Sequence, residues 1–472
     1  MMSLIFTGMH TILAGVILYI LMQLLIGVYF SKRISSEADY LLAGRSLGPV
    51  LASLSVFATW FGAETCIGAA GSVYESGLSG ATIDPFGYTV CLVLMGLVFA
   101  RHLWRRNLTT LADLFQQRYS TNIQTLAVLL IAPTSVMWAA AQIRAFGQVL
   151  SAASGFDVEI AISAAAFVVV IYTMYGGLMA DVVTDVIQGV ALIIGLFLLL
   201  FLVLDAGGGW EASVSRIEPD RLDVFGASNK SMLEIVEQWA IPICGSVLSQ
   251  ELVARVLASR SPEVARKACI HGGVLYLFVG LAPVFIGLIG WQSLPGLEHP
   301  EQILPQLAKV HLNTFLYILF AGALISAILS TVDSALLAAS SLLSHNLILP
   351  TFKTVSEAGK VKVARLMVMV CGIVAFVLAL NAGRVYTLVE EASAFGSAGI
   401  FIVVIFGLFT RFGGEMSAAF ALAAGVMSWI VGHHVLTIAT PYLVSLTIAL
   451  IGYVSIAFWE QAETRGNRSA KT

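Results

Sequence analysis

Thr59-Trp-Phe-Gly-Ala-Glu-Thr65 lies in the middle of an apolar run covering residues 47–74. Gly62, Gly68 and Gly71 surround a polar centre there, where lipid alone would favour an unbroken helix. Glycine tolerates the dihedrals of a broken helix. Unwound backbone at membrane depth is allowed only where it lines a protein cavity. A second run, 232–257, is interrupted in the same manner by Pro242, Gly245, Ser249, Gln250 and Glu251. Two broken segments in corresponding positions point to a binding site near the bilayer midplane.

The rest of the chain fits an all-α polytopic membrane protein. It has 472 residues, of which 58% are hydrophobic and 11% charged, and a mean hydropathy of +0.91. Apolar runs long enough to span a bilayer recur throughout. They read as 13 transmembrane helices: 9–30, 47–74, 84–100, 122–153, 158–178, 183–205, 232–257, 269–291, 306–345, 363–382, 385–409, 416–434 and 439–459. Placing the N-terminus outside puts 19 of the 25 Lys and Arg residues in or beside inner segments, as the positive-inside rule requires. The C-terminus is then cytoplasmic and the location a cell membrane. The five cysteines show no metal or disulfide spacing, and the first apolar run lacks signal-peptide features. With the two broken helices five spans apart, 47–205 and 232–409 form two five-helix repeats. Each has an odd number of helices, so they are inverted relative to one another. The run 9–30 and the two helices within 416–459 lie outside this core of a single transmembrane domain, 1–472.

Polar chemistry concentrates in Ile325-Ser-Ala-Ile-Leu-Ser-Thr-Val-Asp-Ser-Ala-Leu-Leu-Ala-Ala-Ser-Ser341, inside the ninth span. Hydroxyls there serve either as packing glue between helices or as oxygen ligands for a hard cation. Ser330 and Ser334 share a face, and Asp333 falls near it. Acidic residues inside a membrane helix mark functional positions.

Four stretches resemble the sodium:solute symporter family, which has the LeuT-type inverted-repeat fold. They are Ala38-Asp-Tyr-Leu-Leu-Ala-Gly-Arg45, Ala58-Thr-Trp-Phe-Gly-Ala63, Tyr175-Gly-Gly-Leu-Met-Ala-Asp-Val-Val-Thr-Asp-Val-Ile-Gln188 and the run around Ser330. Arg255-Val-Leu-Ala-Ser-Arg260 also fits. Within the family the pattern is similar to the high-affinity choline transporter branch at Thr59-Trp60, Asp113-Leu-Phe-Gln-Gln117 and Met137-Trp-Ala-Ala-Ala141. The resemblance implies a principal site for co-transported Na⁺ from the carbonyls of Ala58, Phe61 and Ala327 and the hydroxyls of Ser330 and Thr331. A second Na⁺ site would use Asp185 with Asp333, Ser334 and Ser330; Asp185 also reads as a helix cap or gate residue.

Trp60 and Trp138 match positions that cage a quaternary ammonium by cation–π attraction; they read equally as packing. The third Trp that the resemblance implies in the seventh span is replaced by Ser249 and Gln250. Glu64, Thr65, Asp84, Gln142, Ser249 and Gln250 complete a candidate solute pocket with the two tryptophans. Arg144, alone in its span, reads as a clamp for a substrate carboxylate, an outer gate, or an ion pair with Glu64, Asp84, Glu390 or Glu391. The expected function is Na⁺-coupled symport of a small polar organic solute by alternating access, with choline or another quaternary amine as a specific form. Proton coupling and substrate sensing are the other readings. No nucleophile constellation or nucleotide-binding loop suggests an enzyme. The expected partners are the solute and the lipid bilayer, with no nucleic acid and no obligatory protein partner.

Overall fold

The computed structural model describes residues 34–154, 156–226, 230–382 and 385–469, together with scattered positions between 18 and 32. The expected span 9–30 therefore lies largely outside the described residues. A short helix α1 (Glu37–Leu42) is started by Ser36, whose side chain accepts from the Asp39 amide in a capping box. After it come α2 (Pro49–Trp60), α3 (Ala69–Ser76) and α4 (Tyr88–Leu94, continuing to Arg105). Next are α5 (Thr121–Ser154) and α6 (Val158–Ala206). Then follow α7 (Met232–Ala240), α8 (Gln250–Ala258), α9 (Pro262–Ser293), α10 (Ile303–His311) and α11 (Thr314–Ser341). The chain ends in α12 (Glu357–Asn381), α13 (Val385–Ala394), α14 (Ser397–Phe409), α15 (Glu415–Ile430) and α16 (Pro441–Ser469).

Among the described residues nine helices are long and apolar enough to cross a membrane, or ten if α7 and α8, bent by 43°, form one span. The difference from the expected count lies mainly in how bent runs divide. The 49 residues of α6 would extend about 74 Å if straight. Gly177, at φ 61° and ψ 179°, turns the run back on itself. Tyr172 and Thr184 hydroxyls meet at 2.8 Å, although 12 residues of straight helix would part them by about 18 Å. The expected spans 158–178 and 183–205 are thus two limbs of one hairpin. Similarly, Asp84 is non-helical (φ −134°, ψ 123°) within the apolar run Glu64–Arg105.

Three boundaries differ from the sequence reading. The ninth span begins at Thr314 rather than 306, because the Asn313 side chain accepts from the Leu316 amide at 2.9 Å and starts a new helix. The preceding α10 is a separate amphipathic segment. The eighth span begins at Pro262, where Ser261 caps the helix and proline occupies its first turn. The eleventh span is also broken, since Gly396 adopts φ 67° between α13 and α14.

The helices pack as two groups. In one, α9 lies against α2, α3 and α4; in the other, α11 packs on α5 and α6, and α12 covers the same pair. Apolar burial drives little association between helices in lipid, so close backbone approach matters. Gly272, Gly280 and Gly287 of α9 supply it: added Cβ atoms would lie 2.8 Å from Val56, 2.6 Å from Pro85 and 2.5 Å from the Ala70 carbonyl. The two broken spans are joined at one end, where the Leu47 amide donates to the Ala258 carbonyl at 3.1 Å and the Arg260 amide to the Leu47 carbonyl at 3.0 Å.

The Gly177 corner allows a direct test. Its dihedrals are essentially confined to glycine and cost other residues roughly 1–3 kcal/mol. A Cβ there would also lie 2.8 Å from the Tyr40 ring. Gly177→Ala is expected to lower the thermal midpoint of the detergent-purified protein, while Gly195→Ala, with its nearest atom at 3.4 Å, leaves it unchanged. Equal midpoints would show that the hairpin does not depend on this conformation.

Candidate functional site

α2 ends where its backbone leaves helical geometry, at Phe61 (φ −89°, ψ 71°). The last carbonyls of a helix lack intrahelical donors, so this break presents free oxygens inside the molecule. Ser330 Oγ of α11 lies 3.4 Å from the Ala58 carbonyl oxygen and donates to Asp185 Oδ1. Thr331 Oγ1 donates to the Ala327 carbonyl at 3.2 Å. The same hydroxyl oxygen would be 2.6 Å from a Cβ at Gly62, so it faces the break. Ser330 and Thr331 of α11 therefore face the break in α2, beside the Ala58 carbonyl and the Gly62 position, with Phe61 at the break itself and Ala327 one turn before Thr331. Among the described residues no group of three His, Cys, Asp or Glu side chains is placed to hold a metal ion. The oxygens at the break are instead mostly neutral, a set suited to a weakly held monovalent cation.

Beside this lies a buried charge cluster. Asp185 Oδ2 accepts from Ser55 at 2.8 Å. Arg255 of α8 donates to Asp181 Oδ2 and to Ser334 Oγ, and its Nη2 is 3.9 Å from Asp185 Oδ2. Asp333 Oδ1 accepts from Thr173. Asp181, Asp185, Asp333 and Arg255 are all buried. Sequence reasoning identified Asp185, Asp333 and Ser334 but missed Ser55, Thr173 and Asp181 as partners. It used Arg255 as an inner-end positive charge and as the start of a family-like stretch, whereas the structure buries it as the counter-ion of the cluster. One available signal was the spacing of Asp181 and Asp185, one turn apart on one helix face.

On the other side of the break, Trp60 packs edge-on against Tyr88 at 4.9 Å and Trp138 at 5.5 Å between ring centroids. Tyr88, absent from the sequence reading, completes an aromatic trio. Gln142 holds the unwound segment: its Oε1 accepts from the Ala63 amide at 2.9 Å and its Nε2 donates to Glu64. Thr65 donates to Asp84 at 2.7 Å and Tyr276 donates to Asp84 at 2.8 Å. Glu64, Thr65, Asp84 and Gln142 are thus buried together and bonded to near neighbours.

Two expected placements need correction. Ser249 and Trp138 line a small cavity of about 30 Å³ together with Ser246 and Glu251. Gln250 does not; its side-chain oxygen accepts from the Leu111 amide at 2.8 Å, because Ser249 is the extended N-cap residue (φ −60°, ψ 143°) and Gln250 the first residue of α8. Arg144 donates to the Ala379 carbonyl at 3.1 Å. It lines a separate cavity of about 490 Å³ with Ser72, Gln148, Glu298 and Thr387. Its expected partners Glu64 and Asp84 are held elsewhere, and Glu390 and Glu391 line a different cavity with Lys230.

The sequence profile of the sodium:solute symporter family matches residues 40–427. A high-affinity choline transporter of Caenorhabditis elegans is 28% identical over 407 residues, covering 80% of this chain and 70% of that protein. A sodium/proline symporter of Staphylococcus aureus is 27% identical over 441 residues, covering 87% and 84%. The fold is similar to the solved structure of a Na⁺-coupled sialic acid symporter in a substrate-bound, outward-open state. That superposition has a TM-score of 0.83 and 20% identity, covering 95% of this chain and 97% of the other.

Gly62 is the point on which the site converges. A Cβ there would lie 2.6 Å from Thr331 Oγ1 and 2.8 Å from Gln142 Oε1 and Glu64 Oε2. Overpacking of roughly 1–3 kcal/mol at this position is expected to reduce Na⁺-driven uptake about tenfold or more in Gly62→Ala. Surface expression should stay near wild type. Uptake at the wild-type rate would show that the break does not form the transport site.

Proposed function

We propose that this chain, which belongs to the sodium:solute symporter family, imports a small polar organic solute together with Na⁺ by alternating access. The carrying observation is Ser330, whose one hydroxyl lies against the Ala58 carbonyl and on Asp185. It links the broken α2 to the helices of the other packing group. The LeuT-type arrangement of 13 spans accounts for this: repeats over 47–205 and 232–409 each open on a broken helix, with one span before the core and two after it. The principal Na⁺ is held by Ala58, Phe61, Ala327, Ser330 and Thr331. A second ion is held by Asp185, Asp333 and Ser334.

The cycle follows from the two packing groups. With the N-terminus outside and the C-terminus in the cytoplasm, Arg144 and its cavity form the outer mouth. Na⁺ entering there bridges α2 to α11 and stabilises the outward-facing arrangement. The solute then binds against Trp60, Trp138 and the segment held by Gln142. Rocking of the α2–α4, α8 and α9 group against α5, α6, α11 and α12 opens the opposite side, where low Na⁺ draws the ion off. A potential of 100 mV adds ~2.3 kcal/mol for each net charge moved.

The aromatic trio favours a solute with a positively charged nitrogen. Asp84 is joined to the trio through Thr65, which bonds the Trp60 carbonyl, and Arg144 lines a separate cavity. Aromatic ring faces, and carboxylates without an ion-pair partner among the described residues, attract a cation. The choline transporter among its relatives accords with that solute class.

Two measurements test the reading. Thermal stabilisation against a solute library should find a ligand that acts only when Na⁺ is present, since differential binding to the folded state raises apparent stability. A ligand acting equally in K⁺ would move proton coupling or sensing ahead of Na⁺ symport. In Ser330→Ala/Thr331→Ala, loss of charge–dipole contacts worth about 1.5–3 kcal/mol is expected to raise half-saturating Na⁺ about tenfold or more. Unaltered Na⁺ dependence in the folded double variant would remove the principal-site assignment.

A further inference from the structure

The charge cluster contains a cation that belongs to the chain. Arg255 Nη2 donates to Asp181 Oδ2 and Ser334 Oγ and stands 3.9 Å from Asp185 Oδ2. Ser334 and Asp185 are the oxygens from which a second ion would be built. A hydroxyl oxygen that accepts from a guanidinium has little capacity left to ligate Na⁺, and two cations sharing these oxygens would repel at short range. Two further carboxylate oxygens, Asp181 Oδ1 and Asp333 Oδ2, are buried without a hydrogen-bond partner among the described residues. Three acidic side chains thus face one guanidinium, and the cluster has unused capacity for positive charge.

The location makes the contact conformational. Arg255 is on α8, tied to the start of α2 through Leu47 and Ala258. Asp181 and Asp185 are on the second limb of α6, and Ser334 is on α11. The ion pair therefore spans the two packing groups at the end where the broken spans are joined.

We propose that Arg255 is a tethered cation that competes with Na⁺ for the oxygens of Asp181, Asp185 and Ser334, so that either the guanidinium or the second ion holds the two helix groups together. This rests on the second-ion site of the proposed function. When Na⁺ takes these oxygens Arg255 withdraws; when Arg255 returns it displaces the ion. The device supplies a route for releasing a buried ion without leaving three carboxylates uncompensated, a state that would be strongly unfavourable in a low-dielectric interior.

Equilibrium binding of radioactive Na⁺ to the detergent-purified protein tests this without reference to transport. In Arg255→Gln the second ion is expected to bind about tenfold more tightly than in wild type. Millimolar guanidinium added to Arg255→Ala should restore the weaker Na⁺ binding, a rescue that a purely structural arginine would not show. Adding Ser334→Ala to Arg255→Gln should abolish the gain. Weaker or unchanged Na⁺ binding in Arg255→Gln, with Ser334→Ala alone still losing an ion, would overturn the competition and leave the second site standing. If wild type and Ser334→Ala bind the same number of ions with the same affinity, the second-ion reading itself fails and the proposal with it. Should Arg255→Gln fold poorly, Arg255→Lys, which keeps the charge but lacks the fork that reaches Asp181 and Ser334 together, is expected to show a smaller gain of the same sign; its absence there counts against the proposal equally.

Discussion

Everything at the centre of this molecule depends on one constraint: backbone that leaves helical geometry at membrane depth must find partners within the protein. An unsatisfied amide or carbonyl in hydrocarbon costs several kcal/mol. The break after Trp60 is tolerable because Gln142 accepts the Ala63 amide and Ser330 approaches the Ala58 carbonyl. Gly62 leaves room for the side chains of Thr331, Gln142 and Glu64 to converge on the same point. These contacts come from α5 and α11, which belong to the other packing group. The structural need to satisfy the break and the functional need to connect two moving bodies are therefore met by the same atoms.

That arrangement also explains why the polar residues are so unevenly distributed. Asp185 and Ser334 would destabilise an isolated helix in lipid, yet here both meet partners on other helices. The Arg255–Asp181 pair is buried almost completely. Removing either partner from such a pair costs about 3–5 kcal/mol, while the intact pair contributes little net stability. A pair of that kind is better suited to discriminating between arrangements than to stabilising one. Its position between α8 and α6 is where such discrimination acts on the relative placement of the two groups.

The sequence disclosed the parts of this design that depend on local pattern. Apolar runs, the glycines around residue 62 and the hydroxyls at 330 and 331 are all readable from composition and spacing. The family motifs then placed Asp185 beside Ser330, 145 positions away. What stayed hidden were facts of rotation and of pairing across long separations. Gln250 follows Ser249 by a single residue, yet one points to Leu111 and the other to the cavity beside Trp138. Arg255 and Asp181, 74 residues apart, carry no mutual signal in a single chain. The start of α11 escapes the hydropathy pattern because Leu312, though apolar, is extended in backbone and ends α10, and the capping capacity of Asn313 then outweighs its neighbours' hydropathy.

The two halves of the site are linked through Ser330 and Asp185. Ser330 touches the Ala58 carbonyl on one side and Asp185 on the other, and Asp185 is shared with Ser55 of α2. A cation at the break draws on the lone pairs of Ser330 and leaves its proton directed at Asp185, strengthening a charge-assisted bond. A cation at the carboxylates competes for Asp185 and weakens that orientation. The two ion positions proposed here would thus be coupled through one hydroxyl group, and each ion's affinity would depend on the other's presence by the reciprocity of linked equilibria. Because both paths end on α2, whichever cation is held changes how firmly the broken helix sits against α6 and α11. That firmness is the quantity an alternating-access cycle has to vary.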